Sequence, residues 1–294
     1  MEFAAYVQDG RAGLAATDGS RPFHGLSLED PRSPGDLLTL LQQGGDALAQ
    51  AGRLLLDAGA PIRLEDVILH PPIRNPGKII CIGLNYADHS AESGFKQPEY
   101  PAVFARFASS LVGHQAAIVR PSVSEQLDYE GEVVAVIGKA GRAIERAAAL
   151  DHVAGYSLFN DASVRDYQFK SQQWTVGKNF DGTGAFGPVF VTAEGLPSGC
   201  KGLRLKTRLN GMVVQDASLD DLVFDVATLV SLLSVPFALE PGDIIVTGTP
   251  AGVGLARTPP LWMKPGDVCE VEVQGIGTLR NPIIDEGSAP AFQP

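Results

Sequence analysis

An α+β fold is what this chain predicts, on three observations. Strand-like apolar segments dominate beyond residue 78, helical patterns are few, and strands and helices do not alternate as a doubly wound parallel sheet requires. Turn signals punctuate the strands throughout. In chain order, two short strands are expected on either side of Asp9-Gly10, and Leu- and Ala-rich helical periodicity runs from Asp36 to Ala58. The run Pro71-Pro72-Ile73-Arg74-Asn75-Pro76-Gly77 suits neither a helix nor a strand ladder. It sets the expected boundary between a small N-terminal domain, residues 1–72, which carries no evident chemistry, and a larger domain, residues 73–294, which carries every candidate functional residue. Strands are then expected over Ile79 to Ile82, Val133 to Ile137, Val153 to Phe159, Val189 to Thr192, Leu203 to Leu209, Ile244 to Thr247 and Val268 to Val273. Asn210-Gly211 is the strongest hairpin signal, because a type I′ turn needs positive φ at both central residues. Pro241-Gly242-Asp243 and Pro265-Gly266-Asp267 mark two later turns. Helices are expected after Asp161, over Asp221 to Leu233, and near Ala143 to Leu150.

Composition narrows the class of function. With 294 residues, 45% of them hydrophobic and 19% charged, the chain can bury a substantial core. A net charge of -11 without any basic run disfavours nucleic acid, whose binding depends on Lys and Arg neutralising phosphates, and points to a small-molecule partner. Cys81, Cys200 and Cys269 are odd in number and lack paired metal spacing, which fits core positions in a reduced, cytoplasmic setting. The start Met1-Glu2-Phe3 has no signal-peptide pattern, and the longest apolar stretch, Val226 to Leu239, is short and contains Pro236; neither secretion nor a membrane span is expected.

The chemistry is concentrated in a few acids. Glu130-Gly131-Glu132 opens a buried strand, and residues i and i+2 of a strand face the same way, so two carboxylates project side by side. Such proximity is costly in a partly dry site unless one carboxyl protonates or a cation lies between them. Asp161 ends an apolar strand and leads into Ala162 to Gln168, read as a helix that puts Asp161, Arg165 and Gln168 on one face at i, i+4 and i+7. Oxygen-only ligation by Glu130, Glu132 and Asp161 suits Mg²⁺ or Mn²⁺, with Ca²⁺ also accommodated, rather than Zn²⁺. Three protein ligands leave about three octahedral positions for water or a chelating substrate. The alternative is a solvated strand face with Asp161 as a helix N-cap.

Five segments, in order, resemble the fumarylacetoacetate hydrolase family: Lys78 to His89, Asp128-Tyr-Glu-Gly-Glu132, Asn160 to Gln168, Gln173 to Lys178, and Thr247 to Gly254. The resemblance implies a β-rich roll of layered mixed sheets, commonly dimeric, with Glu130, Glu132 and Asp161 around a divalent cation. It also implies a His89-Glu92 dyad that activates water, Gln168 and Lys178 on substrate oxygens and developing oxyanion charge, and substrate contacts from Arg165 and Thr249. For each of these the residue pattern alone leaves a plainer alternative: a surface helical pair for His89 and Glu92, a snorkelling lysine, a turn hydroxyl. The chain departs from the family's common pattern at Leu84, where acylpyruvate-cleaving members often carry Arg, at Gly131, where the spacer is commonly bulky, and at Arg106-Phe107, where a Lys-Pro pair is common. Arg106 is the candidate to supply the missing substrate-binding cation. Gly182-Thr183-Gly184-Ala185-Phe186-Gly187 matches a dinucleotide fingerprint by letter, but it leads into Pro188 and a strand where a pyrophosphate site needs a helix.

The resulting expectation is a Mg²⁺- or Mn²⁺-dependent hydrolase of a carbon–carbon bond in an acylpyruvate or diketo sugar acid. The alternative on the same residues is an oxaloacetate-type decarboxylase or an enol–keto isomerase, which needs no activated water. A third reading is a noncatalytic binding protein with a structural ion.

Overall fold

A computed structural model describes residues 1–88 and 99–289. His89 and Glu92 therefore lie outside the described residues.

The N-terminal segment forms β1 (Glu2–Gln8), β2 (Arg11–Thr17), β3 (Phe23–Ser27), helices α1 (Leu37–Gln43) and α2 (Ala47–Ala58), then β4 (Ala60–Ile62) and β5 (Ile68–Leu69). Asp36 caps α1 by accepting from Thr39 N–H, and Gly44 and Gly45, both at positive φ, break the long helical pattern in two. Beyond the proline-rich linker come β6 (Ile79–Gly83), β7 (Ala102–Ala105), β8 (Leu111–Val112), β9 (Ile118–Arg120), β10 (Leu127–Asp128), β11 (Gly131–Ile137), β12 (Val153–Asp161) and β13 (Ser163–Val164). Two single-turn helices follow, α3 (Arg165–Gln168) and α4 (Thr175–Lys178). The chain continues through β14 (Gly184–Thr192), β15 (Arg204–Leu209), β16 (Met212–Ser218), α5 (Val226–Leu233), β17 (Ile244–Val246), β18 (Val268–Val273) and β19 (Gly277–Asp285).

These strands make layered mixed sheets. The largest runs β4-β3-β2-β1-β14-β12-β11-β17-β6-β7, antiparallel except between β17 and β6; β5 and β8 attach at its sides. Because β1 pairs with β14 through Glu2–Val191 and Phe3–Phe190, the N-terminal strands continue the sheet that carries the acids. A five-stranded sheet, β16-β15-β18-β19-β9, packs over it. Its hairpin turns on Asn210 and Gly211, at φ of 52° and 80°, as the Asn-Gly signal requires. The apolar residues of β11, β12 and β14 are buried on both sides, which is why these strands read as continuous hydrophobic runs rather than as alternation.

Four local expectations differ. The segment after Asp161 is not one helix: Ser163 and Val164 pair with Asp128 and Leu127, so helical geometry begins only at Arg165. The helix near Ala143 to Leu150 is a run of tight 3₁₀ turns over Arg146–His152. That over Asp221 to Leu233 starts at Val226, where Asp225 caps it through Thr228 N–H. Strand β14 also starts earlier than expected, at Gly184, so the glycine-rich run is itself ladder.

Candidate metal centre and its cleft

Adjacent strands of the large sheet deliver the acids. β11 and β12 pair with Gly131 opposite Asn160, and Asp161 N–H donates to the Glu130 carbonyl at 2.8 Å, so the end of one strand meets the start of the other. Glu130 and Glu132 point to one side, as strand alternation requires. Gly131 points to the other, where a Cβ would lie 2.1 Å from Thr207 Oγ1 of the overlying sheet. The carboxylates of Glu130, Glu132 and Asp161, all buried, offer oxygens within 4.8 Å of one another.

Cations and donors fix each acid differently. Lys178 Nζ, from the end of α4, is 2.6 Å from both Glu130 Oε2 and Asp161 Oδ2, and 4.9 Å from the Phe104 ring centre. Arg165 Nη2 is 2.6 Å from Glu130 Oε1, and its Nη1 donates to Gln168 Oε1 at 2.8 Å. Arg106 Nε donates to Asp161 Oδ1. Glu132 differs: its Oε2 accepts from Gly248 N–H, and no cation pairs with it among the described residues. Burial, with the carboxylates of Asp161 and Glu130 adding to it, holds the Glu132 carboxyl well above the usual range. For Lys178 burial works against the charge, but Asp161 and Glu130 outweigh it and its pKa is raised.

This arrangement suits a divalent cation. Four buried carboxyl groups, Asp128, Glu130, Glu132 and Asp161, face three buried cations, Arg106, Arg165 and Lys178, so ionising Glu132 leaves one unit of negative charge for a bound cation to offset. An all-oxygen donor set of three carboxylates is that of a hard ion such as Mg²⁺ or Mn²⁺.

Glu130 and Glu132 floor a narrow cleft of about 30 Å³. Arg165, Gln168, Lys178 and Thr249 line its polar side, and Leu84, Phe104, Trp174 and Leu255 its apolar side. Leu84 sits at φ 57°, a strained conformation for a residue with a side chain. Trp174 lies against Gly83, where a Cβ would be 2.3 Å from its ring, and meets Phe104 edge-on at 5.6 Å. Larger hollows of about 570 and 890 Å³ lie elsewhere, but neither gathers such a carboxylate group.

The structure thus brings together Glu130, Glu132, Asp161, Arg165, Gln168, Lys178 and Thr249. Thr249 faces the cleft while its hydroxyl donates to Gly131 O at 3.0 Å and accepts from Gln215 Nε2 at 2.8 Å. Arg106 lies behind Asp161 rather than in the cleft wall. The sequence reading did not single out several supporting residues. Asp128 accepts from Gly254 N–H at 2.7 Å, Leu255 N–H at 2.9 Å and Arg165 Nε at 2.8 Å, tying one cleft wall to the guanidinium. Asn160 Oδ1 accepts from Glu130 N–H at 3.0 Å, Gln215 Oε1 from Gly131 N–H at 3.0 Å, and Asn85 Nδ2 donates to Thr247 O at 2.7 Å. A usable signal existed only for Asp128, which stands two residues before Glu130 and so on the same strand face.

Comparisons with known proteins agree with this site. Residues 78–284 match the fumarylacetoacetate (FAA) hydrolase C-terminal family. The chain is 39% identical to the mitochondrial oxaloacetate tautomerase fahd2 of Xenopus laevis over 277 residues, 93% of this chain and 86% of that one. It is 40% identical to the oxaloacetate tautomerase YisK of Bacillus subtilis over 262 residues, 85% of this chain and 87% of that one. Among solved structures, a fumarylacetoacetate hydrolase from Exiguobacterium antarcticum superposes with a TM-score of 0.84 at 35% identity, covering 97% of this chain and 100% of that one. The maleylpyruvate hydrolase of Sphingobium sp. SYK-6, solved with manganese(II) and pyruvate, gives 0.79 at 26% identity, covering 97% and 99%. No helix among the described residues is long and apolar enough to cross a membrane. A buried Glu-Glu-Asp group able to hold a divalent metal, in a chain matched by the family over residues 78–284, is what a metal-dependent enzyme of this kind requires, and the chain belongs to the fumarylacetoacetate hydrolase family.

Proposed function

We propose that this enzyme interconverts the enol and keto forms of a small 2-oxo acid of the oxaloacetate type, with Mg²⁺ or Mn²⁺. The observation that carries this reading is the likeness, at 39% and 40% identity over most of both chains, to two oxaloacetate tautomerases. It favours the isomerase alternative over hydrolysis.

Tautomerisation moves one proton from O2 to C3 and consumes no water. The 2-oxo acid head enters above Glu130, Glu132 and Asp161, which would hold the cation. That cation, when bound, supplies Lewis acidity to the 2-oxo oxygen. Lys178, kept protonated by Glu130 and Asp161, gives its Nζ proton to C3 and recovers the one that leaves O2. Gln168 offers its amide Nε2 to a substrate oxygen, its Oε1 being held by Arg165. Leu84, Phe104 and Trp174 keep water from the enolate carbon.

Hydrolysis of an acylpyruvate remains the second reading, supported by the likeness to the maleylpyruvate hydrolase. The test follows decay of enol-oxaloacetate absorbance with Mn²⁺ and with chelator, and analyses products from acylpyruvates in parallel. Tautomerisation expects metal-dependent enol decay, a loss of about 100-fold or more in Lys178→Met, and substantial activity retained in His89→Ala. Acylpyruvate cleavage that disappears in His89→Ala, without enol decay in the parent protein, would instead establish the hydrolase.

A further inference from the structure

Arg106 is a cation whose side chain is closed to solvent, and the residue borders the groove of about 570 Å³ rather than the cleft. It follows β7, and its planar fork is used on every side. Nε donates to Asp161 Oδ1, Nη2 to the Ala162 carbonyl at 2.6 Å, and Nη1 to Ser110 Oγ at 3.2 Å and Thr183 Oγ1 at 3.3 Å. The guanidinium carbon lies 5.6 Å from the centre of the Phe159 ring. Room for this group comes from Gly184, where a Cβ would stand 2.8 Å from Nη1 and 3.1 Å from Phe159 Cζ. The Gly182-Thr183-Gly184 run that imitates a dinucleotide fingerprint is therefore a cradle for a guanidinium.

We propose that Arg106 is a positioning residue that fixes the Asp161 carboxylate and thereby sets the affinity and geometry with which the acid cluster takes a divalent cation. Asp161 has two oxygens, one held by Arg106 and the other 2.6 Å from Lys178 Nζ beside Glu130. With Oδ1 occupied, the carboxylate presents Oδ2 alone to the cluster and cannot swing. One contact to the Asp161 carboxylate and one to the next backbone carbonyl, at Ala162, register the guanidinium against the segment that carries the ligand. An ammonium on a flexible stem cannot reach Asp161, the Ala162 carbonyl and two hydroxyls together, so charge alone does not replace the fork. The opposing effect is repulsion between Arg106 and an incoming cation, which would make Arg106 a hindrance. Cation binding alone is at stake, whichever reaction follows it.

Electron paramagnetic resonance of Mn²⁺ added to the full chain separates these effects. Arg106→Lys keeps the charge and is expected to weaken Mn²⁺ binding about tenfold or more, with a changed zero-field splitting as Asp161 becomes free to ligate through both oxygens. Arg106→Ala weakens binding as well. Guanidinium ion, admitted by the groove of about 570 Å³ that Arg106 lines from the other side, restores it where the same concentration of sodium chloride does not. Gly184→Ala, which crowds Nη1 without adding an atom to the cleft, shifts affinity in the same direction. Unchanged affinity and line shape in Arg106→Lys, tighter binding in Arg106→Ala, or no restoration by guanidinium beyond that by salt overturns the proposal.

Discussion

The N-terminal strands and the middle of the large sheet are stabilised by different physics. At the N-terminal end Phe3, Leu14, Leu37 and Leu55 are enclosed between strands and helices, and the ion pairs there, such as Arg21–Asp18 and Arg32–Asp30, lie at the surface. In the middle, around the junction of β11 and β12, four carboxyl groups and three cations are buried together. An apolar layer tolerates loss of one member at the cost of a cavity. A buried charge set is stable only while it is closed, since removing one partner strands the next.

That contrast can be broken most forcefully in the apolar layer. Leu55→Ala is expected to cost about 2–5 kcal/mol by urea unfolding, while activity per folded molecule in the cold stays at the parent level. Equal losses of both would show that the two regions do not act separately. Next in size is the cation itself: at 100 times its Kd, Mn²⁺ should stabilise the parent protein by about 2.7 kcal/mol, read as a rise in Tm. Glu132→Gln should abolish that rise without destabilising the metal-free protein, because the acid removed is the one with no cation partner. The smallest effect concerns the edge of the N-terminal region, where His114 shares a hollow with Glu2, Phe23, Leu64 and Leu69. Burial, with Arg280 nearby, lowers its pKa to about 4, and its Nδ1 accepts from Arg280 N–H at 3.1 Å. Neutral His114 is favoured in the fold, so its contribution is full above the ordinary value of 6.5 and is lost as pH falls from there through about 4. His114→Gln should flatten the stability profile in that window, and an unchanged acid limb would remove His114 from the account.

Legibility in the sequence followed the range of the interactions. Period-two alternation placed Glu130 and Glu132 on one side, and Asn210-Gly211 marked its hairpin, because both are settled by neighbours in the chain. The helix expected to begin at Asp161 failed because Ser163 pairs with Asp128, a contact local periodicity cannot express. The groups that finish the site were hidden for the same reason. Gly131 N–H reaches Gln215 across 84 positions, Gly248 N–H reaches Glu132 across 116, and Gly254 N–H reaches Asp128 across 126. Arg106 was legible as an unusual cation, but only the fold shows that its partner is a ligand acid.

The bare α-carbon of Gly131, pressed under Thr207 Oγ1, makes these two positions a single unit of inheritance. A larger spacer between the glutamates could enter this lineage only after residue 207 had shrunk or the upper layer had lifted, so the order of mutational steps is constrained. Libraries that vary residue 131 alone would sample mostly dead ends, whereas joint variation with residue 207 would open routes toward relatives with a bulkier spacer.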